Sequence, residues 1–466
     1  MTASAHGERG GGDDAVEAQI DAWRGYVLRR RPISGADVDE LEDHLRAQID
    51  DLGRGGLDGE EAFLVAIRRI GALDSLSREY AREHSDRLWK QLVLTSASQG
   101  APGAPAWREP LVAIALGAGA GLAVKLALTL FGMTWDAPAS EPGAFLRNAT
   151  LFVVPFLIAY FGWKRRLGIV PLGILLTCFV VLAVALNAYP FETFGDTEVI
   201  AALHAPVVLW SLVGVAYTGG RWRSDARRMD FVRFTGEFAI YYVLIALGGA
   251  TLLALTSGVF ALVGVFAVQA MAEWVLPICV PGAVLVAAWL VEAKQDVIEN
   301  IAPVLTRIFT PVTLAMLVAL LAVLATAGSL VHVDRELLIL MDAILVLVLC
   351  LTLYAISARD GTDRAGLFDA LQLAMLVAAI AVNAIMLAAM LARTAEWGFS
   401  ANKTAALGLN LLLLVHLAWQ AWLTLGFLRG RRPFDALARW QTRYLPVYVV
   451  WAAAVIVAFP PLFGFA

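Results

Sequence analysis

An all-α fold is what the chain predicts: a polytopic membrane bundle of about eleven spans preceded by a small soluble helical domain. Three observations carry this. The 466 residues are 59% hydrophobic, with a mean hydropathy of +0.70. Apolar stretches follow one another from Leu111 to the last residue, and Leu167 to Ala185 (LGIVPLGILLTCFVVLAVA) holds no charge over about the hydrocarbon thickness of a bilayer. The first 110 residues carry amphipathic periodicity instead. Lipid offers the backbone no hydrogen-bond partner, so apolar runs of this length must be helices.

Taken in order, residues 1–13 are Gly-rich and polar and read as a disordered tail. Residues 14–94 read as a cytoplasmic helical prefix domain. Val16, Ile20, Trp23 and Val27 recur at helical spacing, as do Val38, Leu41, Leu45, Ile49 and Leu52, and then Phe63, Ala66, Ile67 and Ile70. Ser34 and Asp58 stand where the second and third helices need caps. A fourth helix, from about Asp74 to Val93, carries Leu76, Tyr80, Leu88, Trp89 and Leu92. Residues 95–110 (TSASQGAPGAPAWREP to Pro110) read as a flexible linker. The acidic helix with Asp37, Asp39, Glu40, Glu42, Asp43, Asp50 and Asp51 argues against nucleic acid as a partner.

Residues 111–466 form the transmembrane domain, with spans near 111–131, 145–163, 167–188, 201–218, 236–257, 273–291, 309–330, 337–357, 367–391, 404–428 and 446–464. The stretch 258–272 is short for a crossing and reads as a re-entrant or interfacial helix or part of a shifted pair, so that ten or twelve spans fit as well. Basic residues concentrate in alternate connections: Lys164, Arg165 and Arg166; Arg221, Arg223, Arg227, Arg228 and Arg233; Lys294 and Arg307; Arg359 and Arg364; Arg429, Arg431, Arg432, Arg439 and Arg443. By the positive-inside rule these face the cytoplasm, with the amino terminus inside and Ala466 outside. No signal peptide opens the chain, so the first span is expected to direct insertion. Cys178, Cys279 and Cys350 lie in apolar helices and read as buried packing residues.

Two resemblances bear on this layout. The prefix, with DELEDHLRAQIDDL at 39–52, EEAFLVAIRRIG at 60–71 and LSREYAREH at 76–84, resembles the small cytoplasmic helical domain found before bacterial permease components. The membrane part, through FTGEFAIYYVLIAL at 234–247, GFSANKTAALGLNLLLLVHL at 398–417 and RYLPVYVVWA at 443–452, resembles the multi-pass family catalogued as domain of unknown function 4153. The resemblances imply a bacterial inner (plasma) membrane protein of two parts, and bring no ligand or reaction.

Polar residues inside spans are costly and usually face a bundle interior or a water-filled cavity. Lys125, Asn187, His204, Glu273, Asp342, Asn383 and Asn410 all map to the outer half of their helices. Of these, Lys125, Glu273, Asp342, Asn383 and Asn410 form the candidate ligand or ion cavity, for a small solute, a lipid headgroup or an ion. Lys125 is expected to need a carboxylate such as Glu273 or Asp342, or a path to the outer interface. The alternative is that the asparagines bridge helices as structural glue. A secondary group lies deeper or toward the cytoplasm: Glu237, expected to pair with Arg233, with Tyr241; and His416 with Gln420.

Catalytic signatures are missing: there is no phosphate-binding Gly-Lys-Ser/Thr loop, no His-Glu-x-x-His and no Gly-x-Ser-x-Gly. No catalytic residue, metal site or cofactor is assigned, and enzyme activity on lipid or envelope substrates ranks third. The leading expectation is a signalling or regulatory membrane protein that contacts membrane lipids and, through residues 14–94, a cytoplasmic protein partner. A secondary transporter or permease component is the alternative, because Pro277 and Pro281 break one span as in transporters that bind at broken helices. Gly117, Gly119 and Gly121 permit close helix approach, but glycine and alanine are too common here to mark a dimer motif; a homo-oligomer is an open expectation that does not rest on them.

Overall fold

The computed structural model describes residues 16–17, 19–21, 35–54, 57–58, 62–63, 66, 107–133, 142–262, 264, 268–293, 301–326, 335–359 and 365–465. The chain divides into two compact units, Met1–Ser96 and Ala97–Ala466. The expected tail, the fourth prefix helix and Ser34, Trp23, Val27, Ile67 and Ile70 fall outside the described residues.

In the first unit, helix α1 (Gly35–Arg54) lays Leu45 and Leu52 against Ile20, Ala62, Phe63 and Ala66, with Val16, Ile49 and Leu57 at the edge. These are the positions the helical periodicity selects. Arg46 ties the segment of Val16 to α1: its guanidinium donates to both carboxylate oxygens of Glu17 at 2.5 and 2.9 Å, and its Nε to Glu42 at 3.0 Å, one turn back. That bidentate contact holds the Glu17 carboxyl below its ordinary range and pushes the Arg46 guanidinium up.

The second unit contains helices and connecting turns and no strand among its described residues. The helices are α2 (Arg108–Leu130), α3 (Pro142–Lys164), α4 (Ile169–Ala188), α5 (Asp196–Tyr217), α6 (Asp225–Leu262), α7 (Val268–Ala293), α8 (Ile301–Thr326), α9 (Arg335–Ser357), α10 (Leu367–Trp397), α11 (Ala401–Leu428) and α12 (Phe434–Leu462). All eleven are long and apolar enough to cross a membrane. The expected linker ends earlier than 110, since Arg108 to Pro110 already belong to α2. Among the described residues of 258–272, α6 continues to Leu262 and Val268 opens α7. Ten of the fifteen residues there thus extend two neighbouring spans, which is the shifted-pair alternative.

Two apolar cores organise the bundle. The first gathers α2, α3, α4, α5 and α7 around Leu157, Phe161, Leu186, Leu209 and Leu285, and takes Phe234 from α6 and Ile456 from α12. The second gathers α8, α9, α10 and α11 around Leu317, Met341, Leu345, Met386 and Leu413. Ile200 of α5 meets Ala401 and Ala405 of α11 and Val455 of α12 where the two halves join. Close approach of α2 and α7 needs glycine: a Cβ on Gly121 would stand 2.6 Å from the Ile278 carbonyl oxygen, and one on Gly117 3.2 Å from that of Gly282.

Apolar side chains also cover the outside, as in a protein whose solvent is lipid. No residue from 238 to 262 of α6 is buried, although this stretch is almost wholly apolar. The cysteines correct an expectation: Cys178, Cys279 and Cys350 sit on the exposed surface, not in the packed interior. A thiol is a small, weakly polar group, so acyl chains accommodate it as a core would.

Helix ends fall on two faces. On the basic face, Glu109 at the start of α2 accepts from Tyr160 (2.9 Å) and Lys164 of α3, and Lys164 reaches Glu292 near the end of α7 at 3.3 Å. Arg359 after α9 pairs with Asp369 in the first turn of α10, and Asp369 Oδ2 caps the Gly366 N–H at 2.7 Å. On the opposite face, Arg147 of α3 pairs with Glu198 of α5, whose other oxygen accepts from the Phe194 N–H at 2.9 Å.

Candidate functional site

The structure divides the expected outer-half residues among several neighbourhoods. Asn187 and Asn148 exchange hydrogen bonds at 2.7 and 2.8 Å, and each also donates to the carbonyl one turn back in its own helix. Every polar atom of that pair has a partner, which is what structural glue requires. His204 Nδ1 meets the Ile200 carbonyl at 2.7 Å, a contact within its own helix.

Lys125 and Glu273 do meet, but through different atoms from those expected. Lys125 Nζ donates to the backbone carbonyl of Glu273 at 2.6 Å and lies 4.4 Å from the centre of the Trp274 ring. The Glu273 carboxylate accepts from Gln269 at 3.3 Å. The reason lies in the backbone. Met271–Val275 is a π-helical segment, in which the Leu276 N–H bonds back to Met271, and such a widened turn displaces carbonyls from the α ladder. An ammonium held by a carbonyl and an aromatic face needs no carboxylate.

Asp342, Asn383 and Asn410 come together on three adjacent helices of the second core. Asn410 of α11 donates from Nδ2 to Asp342 of α9 at 2.6 Å and to the Ala406 carbonyl at 2.8 Å. Asn383 of α10 donates from Nδ2 to the Asn410 carbonyl at 3.0 Å. Both asparagines are fully buried and Asp342 is half-buried. Unlike the Asn148–Asn187 pair, this chain leaves side-chain acceptors without donors. The side-chain oxygens of Asn383 and Asn410 have no donor, and neither does Asp342 Oδ2 among the described residues. Each undonated buried oxygen costs on the order of 1–3 kcal/mol, and a carboxylate at this depth needs a counter-charge. Lys125 and Glu273 are in contact with one another across α2 and α7, in the other half of the bundle, so the five residues do not form one hydrogen-bonded group.

The secondary group also separates. Tyr241 packs against the first core, and buried Glu237 lines a cavity with Arg233, whose guanidinium donates twice to the Ser357 carbonyl, at 2.6 and 2.9 Å. His416 of α11 is held by α12: Nε2 lies 2.8 Å from Gln441 Oε1 and Nδ1 3.0 Å from the Tyr448 hydroxyl. An amide oxygen can only accept, so the Nε2–H tautomer that receives the tyrosine proton at Nδ1 satisfies both contacts. With Tyr444 and Trp440 against its ring, His416 reads as a packing residue that locks α11 to α12. Gln420 donates to Thr424 at 3.3 Å in its own helix.

Several polar groups escaped the sequence reading. Glu292, only 2% exposed at its side chain, receives Arg165 at 2.8 and 2.9 Å as well as Lys164. Its position in VEAKQD at the end of an apolar run resembles an ordinary interfacial charge. Glu198 with Arg147 was hidden for the same reason. Thr306, Thr310 and Thr313 form a buried stripe on α8, and their spacing in TRIFTPVT was a signal that could have been read. Among the described residues, no group of three or more His, Cys, Asp or Glu side chains could hold a metal ion. Compared with models of known families, with curated proteins and with solved structures, the chain finds no match.

Proposed function

We propose that the bundle is the sensing part of a regulatory membrane protein, and that it binds a small monovalent cation at Asp342, Asn383 and Asn410. The single observation behind this reading is the excess of acceptors in that chain: one oxygen of the Asp342 carboxylate and two buried amide oxygens without donors. One negative charge with neutral oxygens suits a hard monovalent ion, whereas calcium or magnesium sites use more oxygen ligands and more charge. With the basic connections on the cytoplasmic side of a bacterial inner membrane, the site opens toward the outer half. The N-terminal unit, folded around a core of its own, is the part that contacts a cytoplasmic protein partner. Membership of the family called domain of unknown function 4153, with a permease-type prefix, belongs to this proposal and rests on the residues quoted above.

A secondary transporter is the second reading, favoured by the π segment and by Pro277 and Pro281 in α7. Thermal unfolding of the purified protein, titrated with sodium against choline at constant ionic strength, tests cation binding. Sodium at about a hundred times its Kd adds about 2.7 kcal/mol. Acidification weakens the effect because protons compete for Asp342, and Asp342→Asn removes it. Unfolding that ignores sodium in the unsubstituted protein refutes the site. Sodium-driven solute accumulation in proteoliposomes would favour the transporter.

A further inference from the structure

A cavity of about 260 Å³ opens on the basic face, lined by Arg165, Tyr217, Arg227, Asp230, Arg233, Phe234, Glu237 and Val291. It is independent of the cation site. Its level in the membrane follows from its walls. Arg165 directly follows α3, Tyr217 ends α5, and residues 227–237 are the opening turns of α6, before the apolar stretch in which no residue is buried. Half-exposed Trp163 and Trp222 stand at the same level, where indole rings mark the headgroup region.

Most charges here are engaged, and two are not. Arg165 spends Nη2 on Glu292 and stacks on Tyr217, with the guanidinium carbon 5.0 Å from the ring centre. Arg228 binds the Thr442 carbonyl and lies over Trp222. The Arg227 guanidinium and the Asp230 carboxylate make no ion pair or hydrogen bond among the described residues, although they are three residues apart on one helix and line the same cavity. Arg165 Nε is buried and has no acceptor. The cavity therefore presents an unpaired guanidinium at part-buried Arg227 and an unpaired carboxylate at exposed Asp230.

We infer that this cavity takes a phosphoryl–ammonium zwitterion, the ethanolamine headgroup of an inner-leaflet phospholipid. The phosphate oxygens accept from the Arg227 guanidinium, and the primary ammonium donates to Asp230. The volume admits a headgroup, while the acyl chains run down the exposed apolar surface of α6. Choline offers no N–H, so Asp230 makes the site selective between the two lipids.

The test uses the full chain in mild detergent, with short-chain phosphatidylethanolamine added stepwise and bound lipid counted by native mass spectrometry. Short-chain phosphatidylcholine, soluble glycerophosphoethanolamine and inorganic phosphate run in parallel. Saturable binding of the ethanolamine lipid, about tenfold weaker in Arg227→Gln, and loss of preference over the choline lipid in Asp230→Asn, are the expected results. Equal binding of both lipids by the unsubstituted protein, or unchanged affinity in Arg227→Gln, overturns the inference. Equal affinity for glycerophosphoethanolamine keeps the zwitterion site and assigns it to a soluble ligand, which overturns the lipid. Tight binding of inorganic phosphate alone overturns the ammonium half.

Discussion

Replacing Glu292 by alanine is expected to be among the most damaging single changes on the basic face, and the structure sets the size of the effect. Its side chain is 2% exposed, against 19% for Lys164 and 28% for Arg165. Truncation strands two cations whose partner was a buried carboxylate, a change that costs about 3–5 kcal/mol when both partners are fully buried. The cations keep some access to solvent and Lys164 keeps Glu109, so the lower end, about 3 kcal/mol, applies. Glu292→Gln retains volume and an acceptor for Arg165 and costs about half as much. Reversible unfolding in mixed micelles, followed by tryptophan fluorescence, measures both. A double-mutant cycle with Arg165→Met isolates the pair and should return about 2 kcal/mol of coupling. A Glu292→Ala protein within about 0.5 kcal/mol of the parent, or a cycle with no coupling, refutes the view that this network holds α3 to α7.

Glycine substitutions separate contact from composition: Gly121→Ala drives a methyl group into the Ile278 backbone and should cost about 2 kcal/mol or more, whereas Gly173→Ala, with open space around it, should change unfolding by less than about 0.5 kcal/mol in the same assay. In the N-terminal unit, acid should loosen the contact between Glu17 and Arg46. The Glu17 carboxyl is held below its ordinary value of 4.5, so its contribution is present above that value and is lost as pH falls through the lowered one. Hydrogen exchange at α1 between pH 6 and pH 3 reads the loss, and Arg46→Gln should flatten that dependence; identical profiles would sink the assignment.

Span positions were legible because lipid leaves so little choice: eleven apolar runs became eleven helices, and the cost of an unpaired backbone decides each one without reference to its neighbours. Depth was legible too, since counting residues from a helix end places Asp342, Asn383 and Asn410 at one level, and the structure joins them by hydrogen bonds. Lateral position was not. Nothing in the residues themselves says that Lys125 packs beside α7 and Asp342 beside α11. Lys125 found a carbonyl exposed by a π turn, and the wider turn follows from packing of α7 that periodicity does not encode. Glu292 and Glu198 were missed because a charge one turn inside a helix end looks the same whether it meets water or a buried arginine.

Time enters through α12. Ile456 fills the core built by α2, α3, α4, α5 and α7, and the Tyr189 hydroxyl donates to the Val457 carbonyl across 268 residues of chain. During synthesis at about 5–20 residues per second, that core therefore waits on the order of ten seconds or more for its final wall. Until then α4 and α5 present an apolar but unfilled groove to the bilayer, which lipid chains or an insertion chaperone must occupy. A ribosome stalled before residue 434 would leave the early helices inserted and their core unsealed, so the quality of the N-terminal half is decided at the far end of the message.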